Sequence, residues 1–318
     1  MLMISVIIPV YNGEKTIGAC LSALHEQTLK PNEIIVVDDG SSDGTKETVK
    51  KSRATILLEQ NHKGPASARN AGAKKAKGSV LLFTDADCIP DKDWVKEMAS
   101  SFENKDITGV QGRYKTTQKN SMARFVQLEI EDRYDRMRKR KHIDFIGSYA
   151  AGYRKDVFLK FGGFDESFSM ASGEDPEISF KLAAAGHKML FNEKAVVYHN
   201  HVNSLGAYMK QKFWRAYWRV HLYKKHPDKI AGESYTPQTL KIQIFLLIAI
   251  FSSLTMTLLY SQLLFISMIS IILLLASTLP LTFKNMKKSF VAGLITPFIS
   301  IMRTIVFALG LACGVLKL

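Results

Sequence analysis

Two aspartates one residue apart, Asp85 and Asp87, follow the apolar run Ser79-Val80-Leu81-Leu82-Phe83. Alternate residues on an extended chain point the same way, so both carboxylates are expected to converge just past a strand end. Two oxygen ligands there suit Mg²⁺ or Mn²⁺, which bind through one or two carboxylates together with substrate phosphates. An isolated D-x-D is more often a solvated turn, so the surrounding elements decide its meaning. A second acidic pair stands in Gly173-Glu174-Asp175-Pro176. On its own this reads as a helix start, with Asp175 as N-cap and proline at the first helical position.

The elements that must position these residues alternate. Apolar strands are expected at Ser5–Val10, Glu33–Asp39, Ala54–Gln60 and Ser79–Phe83. Helical spacing lies between them, at Glu14–Gln27, Asp43–Lys51 and Pro65–Lys77. Near-continuous apolar strands alternating with helices predict an α/β fold with a mostly parallel sheet covered on both faces. Ligands then bind beyond the carboxyl ends of the strands. Tyr11-Asn12, Asp38-Asp39 and Asp85-Asp87 all sit at such ends. The chain lacks G-x-G-x-x-G after its first strand and lacks a phosphate-loop G-x-x-x-x-G-K-[ST]. A bound diphosphate is therefore expected to be held through a metal.

Composition changes near Thr239. Residues 242–260 and 263–283 carry no charge, and Arg303 is the sole charge in 289–316. Apolar runs of this length cross a bilayer, so about three spans are predicted. Ser261-Gln262 is a very short connection and makes the first two spans a hairpin. Lys284, Lys287 and Lys288 favour the cytoplasmic side for the second connection, which puts the N-terminal domain in the cytoplasm. Pro297 and Arg303 interrupt the third run, leaving a re-entrant segment as the alternative; a charge at that depth is expected to face protein. Gly310 and Gly314 form a small-residue step for close helix approach. Ahead of the spans, Tyr208–Lys225 reads as an amphipathic helix on an anionic membrane surface, with Trp214, Trp218 and Leu222 as its apolar stripe. The charged stretch Arg124–Lys141 reads as a solvated helix face.

The net charge of +14 over 318 residues implies an anionic partner, and its clustering beside the apolar spans favours lipid over nucleic acid. Three scattered cysteines give no metal spacing and suit a reducing compartment. Met1–Ile8 is apolar but stops at Pro9 without a basic flank, so no secretory leader is expected.

Six ordered segments are familiar together. Val6-Ile7-Ile8-Pro9-Val10-Tyr11-Asn12, Val37-Asp38-Asp39-Gly40-Ser41-Ser42-Asp43-Gly44-Thr45, Gly64-Pro65-Ala66-Ser67-Ala68-Arg69-Asn70-Ala71-Gly72 and Thr84-Asp85-Ala86-Asp87 come first. Gly162-Gly163-Phe164-Asp165-Glu166 and Gly173-Glu174-Asp175 complete the set. Residues 4–201 thus resemble glycosyltransferase family 2. The resemblance implies a GT-A fold and inverting transfer from a nucleotide-sugar; a UDP-sugar is the expected donor, with GDP- and dTDP-sugars open. It implies donor binding by Pro9, Tyr11, Asn12, Glu14, Asp39, Arg69, Asp85 and Ala86. It implies a metal site of Asp87, Asp85 and His199, and catalysis by Asp175 with Glu174.

Other readings of single residues remain. Asp39 could cap the turn Gly40-Ser41-Ser42, Arg69 could cap a helix face, and His199 could be structural. Gln211-Lys212-Phe213-Trp214-Arg215 departs from the Q-x-x-R-W pattern of processive relatives, so single transfer is expected. The predicted organisation is a transferase domain at 1–207, an interfacial helix and linker at 208–239, and a membrane region at 240–318. The expected acceptor is lipid-linked or membrane-proximal, at the cytoplasmic face of the cell membrane. The rivals are a polyprenyl-phosphate glycosyl synthase and an inactive nucleotide-binding membrane scaffold.

Overall fold

The computed structural model describes residues 2–52, 55–168, 172–234 and 236–317. The chain divides into two compact units, Met1–Thr117 with Tyr134–Asn200, and Gln118–Arg133 with His201–Leu318. Residues 118–133 therefore group with the C-terminal half and not with the transferase domain expected at 1–207.

The first unit opens as the apolar periodicity predicts, with β1 (Ile4–Val10), α1 (Ile17–His25), β2 (Glu33–Asp38), α2 (Thr45–Lys51), β3 (Thr55–Glu59), α3 (Pro65–Lys75) and β4 (Val80–Thr84). The expected start of the third strand, Ala54, lies outside the described residues. Every residue of β1 and β4 is buried, as in a strand covered on both faces. There follow β5 (Cys88–Pro90), α4 (Trp94–Ser100), β6 (Ile107–Lys115), α5 (Ser121–Arg138), β7 (Ala150–Arg154), α6 (Lys155–Lys160), α7 (Glu174–Ala184) and β8 (Lys188–His199). The division between the units falls inside α5.

The eight strands form one sheet in the order β3-β2-β1-β4-β7-β6-β8-β5. Its first four strands are parallel, and β6 also runs parallel to β8. The pairs β4–β7, β6–β7 and β5–β8 are antiparallel, so the sheet is mixed. The antiparallel β7 lies directly beside β4, which brings Ala150 opposite Thr84. The chain around Ser148 thereby arrives at the strand end that precedes Asp85.

One close approach explains a glycine in the first unit. A Cβ on Gly72 of α3 would lie 2.5 Å from Ile7 Cγ2, so glycine lets this helix settle on β1.

The second unit contains α8 (Leu205–Lys225), a short 3₁₀ turn at Pro227–Ile230, α9 (Gln238–Met256), α10 (Leu263–Met286) and α11 (Phe290–Leu316). Three of these helices, α9 to α11, are long and apolar enough to cross a membrane. The third run is one helix with Pro297 inside it. Phe245, Phe251, Leu258 and Phe265 point outward, as lipid-facing side chains do. The Ser253 and Ser267 hydroxyls lie 2.7 Å apart across the α9–α10 hairpin.

Helix α8 differs from the expected stripe. Its buried residues are Tyr208, Met209, Lys212, Ala216, Arg219 and Leu222, whereas Trp214 and Trp218 are half-buried. The reason lies in its partners. Gly310 and Gly314 bring α11 against it, close enough that a Cβ would lie 2.5 Å from Phe213 O and 2.6 Å from Tyr217 O. The solvated face expected over Arg124–Lys141 is also corrected. Phe125 and Val126 pack with Tyr208, Met209 and Ile299.

Arg303 faces protein, as a charge at this depth should. It donates to Glu129 Oε1 at 2.8 Å and to Gln243 Oε1 at 3.3 Å. Lys212 donates to Glu129 Oε2 at 2.7 Å, and the Tyr208 hydroxyl to Oε1 at 3.1 Å. Burial alone would raise the Glu129 carboxyl, but Lys212 and Arg303 outweigh it and hold the group well below the usual range. Two further acids of α5 meet lysines: Asp132 pairs with Lys284 at 2.5 Å, and Glu131 pairs with Lys288.

Candidate active site

The site belongs to the first unit and forms where β1, β2 and β4 end. Asp85-Ala86-Asp87 is a turn, closed by the Cys88 amide donating to Asp85 O at 3.0 Å. The carboxylates therefore converge by chain reversal and not by strand alternation, which corrects the expected geometry. Asp85, Asp87 and Cys88 each offer a ligand atom within 4.8 Å of the others. Burial, then the charges of Asp85 and Asp87, push the Cys88 thiol well above its ordinary range, so it stays protonated. The ligands suited to a hard cation are the two carboxylates. Ala86 sits between them, half-buried.

His199 ends β8, with its Nε2 3.3 Å from Asp87 Oδ2. Burial works to raise the Asp87 carboxyl, and the His199 contact more than offsets it, leaving the group below its usual value. The two carboxylates suit a divalent cation by donor chemistry, and the imidazole stands beside them. His201, two residues on, is a structural histidine of the second unit. It is buried, with Nε2 2.8 Å from Gln127 Oε1 and its amide donating to Gln118.

Arg69, on α3, is buried and bridges two motifs. Its Nη2 donates to Asp85 Oδ1 at 2.7 Å and its Nη1 to Glu174 Oε1 at 3.2 Å. Neighbouring carboxylates overcome the cost of burial and keep the guanidinium charged. Glu174 Oε2 accepts from the amides of Ser172 and Gly173 at 2.9 and 3.1 Å. Both oxygens of Glu174 are thus engaged, Oε1 by Arg69 and Oε2 by two backbone amides.

Asp175 lies inside the first turn of α7, one residue after Glu174, so it is not the N-cap; Gly173 holds that place. Its Oδ1 is buried without a hydrogen-bond partner among the described residues. Burial, reinforced by the charge of Glu174, pushes its carboxyl up to about 7, although Arg69 and the Ser148 amide pull the other way. A carboxylate poised near neutrality with a free oxygen is suited to general-base work.

The remaining expected residues form the rim at the ends of β1 and β2. Pro9 is buried in β1 opposite Val37. Tyr11 is exposed, its ring centroid 4.2 Å from that of His62. Asn12 takes a left-handed conformation, φ 50°, and its Oδ1 accepts from the Ser42 amide at 2.9 Å. Glu14 Oε2 accepts from the Gly44 amide at 3.2 Å, tying the first loop to the second. Asp38, not Asp39, caps the following turn, accepting from the Ser41 amide at 3.1 Å. Asp39 reaches across to the loop before α3, accepting from Gln60 at 2.7 Å and from the Lys63 and Gly64 amides at 2.8 Å.

Asn70 accounts for a further motif. It donates to Phe164 O at 2.8 Å and accepts from its amide at 2.9 Å, locking Gly162-Gly163-Phe164 beside α3. Gly163 has φ +69°, and a Cβ there would lie 2.4 Å from Asn70 Oδ1, so glycine is needed.

The family profile described as glycosyl transferase family 2 matches residues 5–162. The chain belongs to glycosyltransferase family 2. Glycosyltransferase AglE of Haloferax volcanii is 28% identical over 223 residues, covering 66% of this chain and 70% of that protein. The UDP-Glc:alpha-D-GlcNAc-diphosphoundecaprenol beta-1,3-glucosyltransferase WfgD of Escherichia coli is 35% identical over 123 residues, 38% of this chain and 49% of that one. Among solved structures, the mannosyltransferase PcManGT of Pyrobaculum calidifontis, in complex with GDP-Man and Mn²⁺, superposes with a TM-score of 0.65 at 18% identity. That match covers 99% of this chain and 88% of the other. The chain is thus a family 2 glycosyltransferase with a GT-A fold and three apolar C-terminal helices of spanning length.

Cys88, Tyr114, Ser148 and Tyr149 escaped sequence reading. Cys88 was legible as the neighbour of Asp87. Tyr114, whose ring stacks on those of His199 and Tyr149, arrives through pairing of β6 with β8, and Ser148 and Tyr149 arrive through pairing of β7 with β4, which leaves no local signal.

Proposed function

We propose that this family 2 glycosyltransferase transfers a sugar, with inversion, from a UDP-sugar to a lipid-linked acceptor at the cytoplasmic face of a membrane. The observation that carries the reading is the Asp85–Arg69–Glu174 bridge, which ties the D-x-D turn to the helix that begins Glu174-Asp175. Two carboxylate tasks, holding a diphosphate through a cation and accepting a proton, are thereby kept on separate groups in one rigid frame.

In this reading the exposed Tyr11 ring and the Asp39 loop flank the base and ribose. Asp85, Asp87 and His199 would hold a divalent cation, which when bound offsets the charge on the departing diphosphate. Asp175 takes the proton from the acceptor hydroxyl as that oxygen bonds to the anomeric carbon. The bond from that carbon to the nucleotide diphosphate breaks on the opposite face. Glu174 and Arg69 hold Asp175 and Asp85 in place.

WfgD, by its name, acts on a diphosphoundecaprenol-linked sugar, and three spanning-length helices would keep this chain beside such an acceptor. Lys284, Lys287 and Lys288, at the end of the second apolar helix, support the cytoplasmic orientation. The half-buried Trp214 and Trp218 on α8 suit an interfacial depth.

The test uses the full chain in detergent with Mn²⁺ and a panel of labelled nucleotide-sugars. Polyprenyl phosphate alone and a polyprenyl-diphosphate-linked sugar are offered separately as acceptors. Label on the second alone supports the proposal. Label on the first assigns a polyprenyl-phosphate glycosyl synthase. Binding without transfer or donor hydrolysis to any acceptor overturns both in favour of a scaffold. An Asp87→Ala chain that kept metal-dependent donor binding would overturn the site.

A further inference from the structure

We propose that Tyr114 is a positioning residue for the metal site: its ring, clamped by Tyr149, fixes the His199 imidazole in the orientation that meets Asp87. The inference rests on the reading of Asp87 and His199 as ligands of a divalent cation.

The sheet register creates the arrangement. Tyr114 of β6 lies opposite Val197 of β8, and His199 is two residues further along the same strand. Side chains two apart on a strand share a face, so His199 is the diagonal neighbour of Tyr114. On its other side β8 pairs with β5, where His199 faces Cys88, the residue after Asp87. The histidine backbone is thus held between the strand that carries Tyr114 and the strand that leaves the D-x-D turn.

The rings then form a slab. Tyr114 stacks on His199 with centroids 4.8 Å apart at 28°. On Tyr149 it stacks at 3.6 Å and 13°. The Tyr134 hydroxyl closes the slab, accepting from the Tyr114 amide at 2.8 Å and lying 2.9 Å from the Tyr149 hydroxyl. Tyr134 itself is fully buried, so the slab has a fixed base.

A histidine at a strand end retains χ1 and χ2 freedom, and immobilising such a side chain on ligand binding costs about 0.5–1.5 kcal/mol. The stack meets that cost during folding. It leaves the ring plane that puts Nε2 3.3 Å from Asp87 Oδ2. Groups behind a metal ligand commonly set its orientation, and their loss weakens affinity by about 10–100-fold. Here the group is an aromatic face and not a hydrogen-bonding carboxylate; the hydroxyl accepts only a long, weak contact from the Cys88 thiol at 3.8 Å, so the ring is expected to carry the effect.

The test measures Mn²⁺ affinity of the full chain in detergent with UDP present, from the loss of the free Mn²⁺ paramagnetic resonance signal. Tyr114→Leu is expected to weaken Mn²⁺ binding about 5–20-fold, and Tyr114→Phe to stay within about twofold of the parent. The double variant Tyr114→Leu/His199→Ala is expected to be no weaker than His199→Ala alone, since both act through one ligand. Parent-like Mn²⁺ affinity in Tyr114→Leu, with His199→Ala impaired, overturns the positioning role and leaves the metal reading intact. Parent-like affinity in His199→Ala overturns the metal reading itself. If Tyr114→Leu fails to fold, Tyr149→Leu removes only the outer ring; a loss of about threefold or more supports the slab, and no loss overturns it.

Discussion

Asp85 and Glu174, far apart in sequence, are held by opposite nitrogens of one guanidinium, Arg69 Nη2 at 2.7 Å and Nη1 at 3.2 Å. The bridge is nearly dry: Arg69 and Glu174 are both buried. Removing one partner of such a buried set leaves uncompensated charge and costs about 3–5 kcal/mol. Arg69→Ala is therefore expected to lower the thermal midpoint markedly and to abolish transfer. Arg69→Lys keeps the charge but loses the fork, so it should fold better than Arg69→Ala and still transfer poorly. Thermal unfolding and a transfer assay on both variants check this.

Asp175 must be deprotonated to accept a proton, and its carboxyl is pushed up to about 7. Transfer at saturating donor should fall about tenfold per pH unit on the acid side of that value, with acceptor and metal held constant. Asp175→Asn should reduce transfer about 100-fold or more and leave donor binding nearly unchanged. A parent-like pH profile in a variant retaining activity would assign the proton transfer elsewhere.

The same displacement has a cost in stability. A carboxyl that binds its proton more tightly in the folded chain favours folding in acid, and that contribution is lost as pH rises from the ordinary carboxylate range toward 7. At pH 8 the Asp175→Asn chain should be more stable than the parent by about 1–2 kcal/mol, a figure kept small because the residue is half-buried. At pH 5 the advantage should shrink. Thermal midpoints at the two pH values measure it.

Glu129 answers Lys212 and Arg303 together, at 2.7 and 2.8 Å. Glu129→Gln should destabilise the detergent-solubilised chain by about 3 kcal/mol or more, since two cations lose their counter-charge. Adding Arg303→Met should restore part of that loss, because a buried cation without a counter-charge is worse than an apolar side chain. Denaturation in detergent of the single and double variants reads the difference.

Gly310→Val places a branched side chain where a single Cβ already falls 2.5 Å from Phe213 O and 2.8 Å from Ala216 Cβ. Helices α8 and α11 must then separate, and a loss of about 1–3 kcal/mol is expected, in keeping with overpacking of a tight interface. Gly206→Val offers a control, because a Cβ at Gly206 meets nothing within 4 Å.

What the chain declares by itself is what local pattern can carry. Buried apolar runs named the first four strands, because a strand covered on both faces excludes polar residues along its length. Uninterrupted apolar lengths named α9 and α10, the third run continued as α11 across Pro297 and Arg303, and the ordered motifs named the family. Tertiary structure decided the rest, because it depends on pairings between distant residues. Asp85 and Asp87 converge through a turn that the next strand's pairing with β8 accommodates. His199 and His201 lie two residues apart; the register against β5 sets the first beside Asp87, while Gln118 and Gln127 hold the second. Glu174 stands beside Asp175 in sequence, and only the fold sets Arg69 and two amides against its oxygens. Lys212 and Arg219 lie on a helix expected to meet an anionic membrane surface, yet Glu129 of α5 and Glu233 pair with them in the protein. In each case a residue's type was legible, but its partner was fixed only when the folded chain set which groups lose their water together.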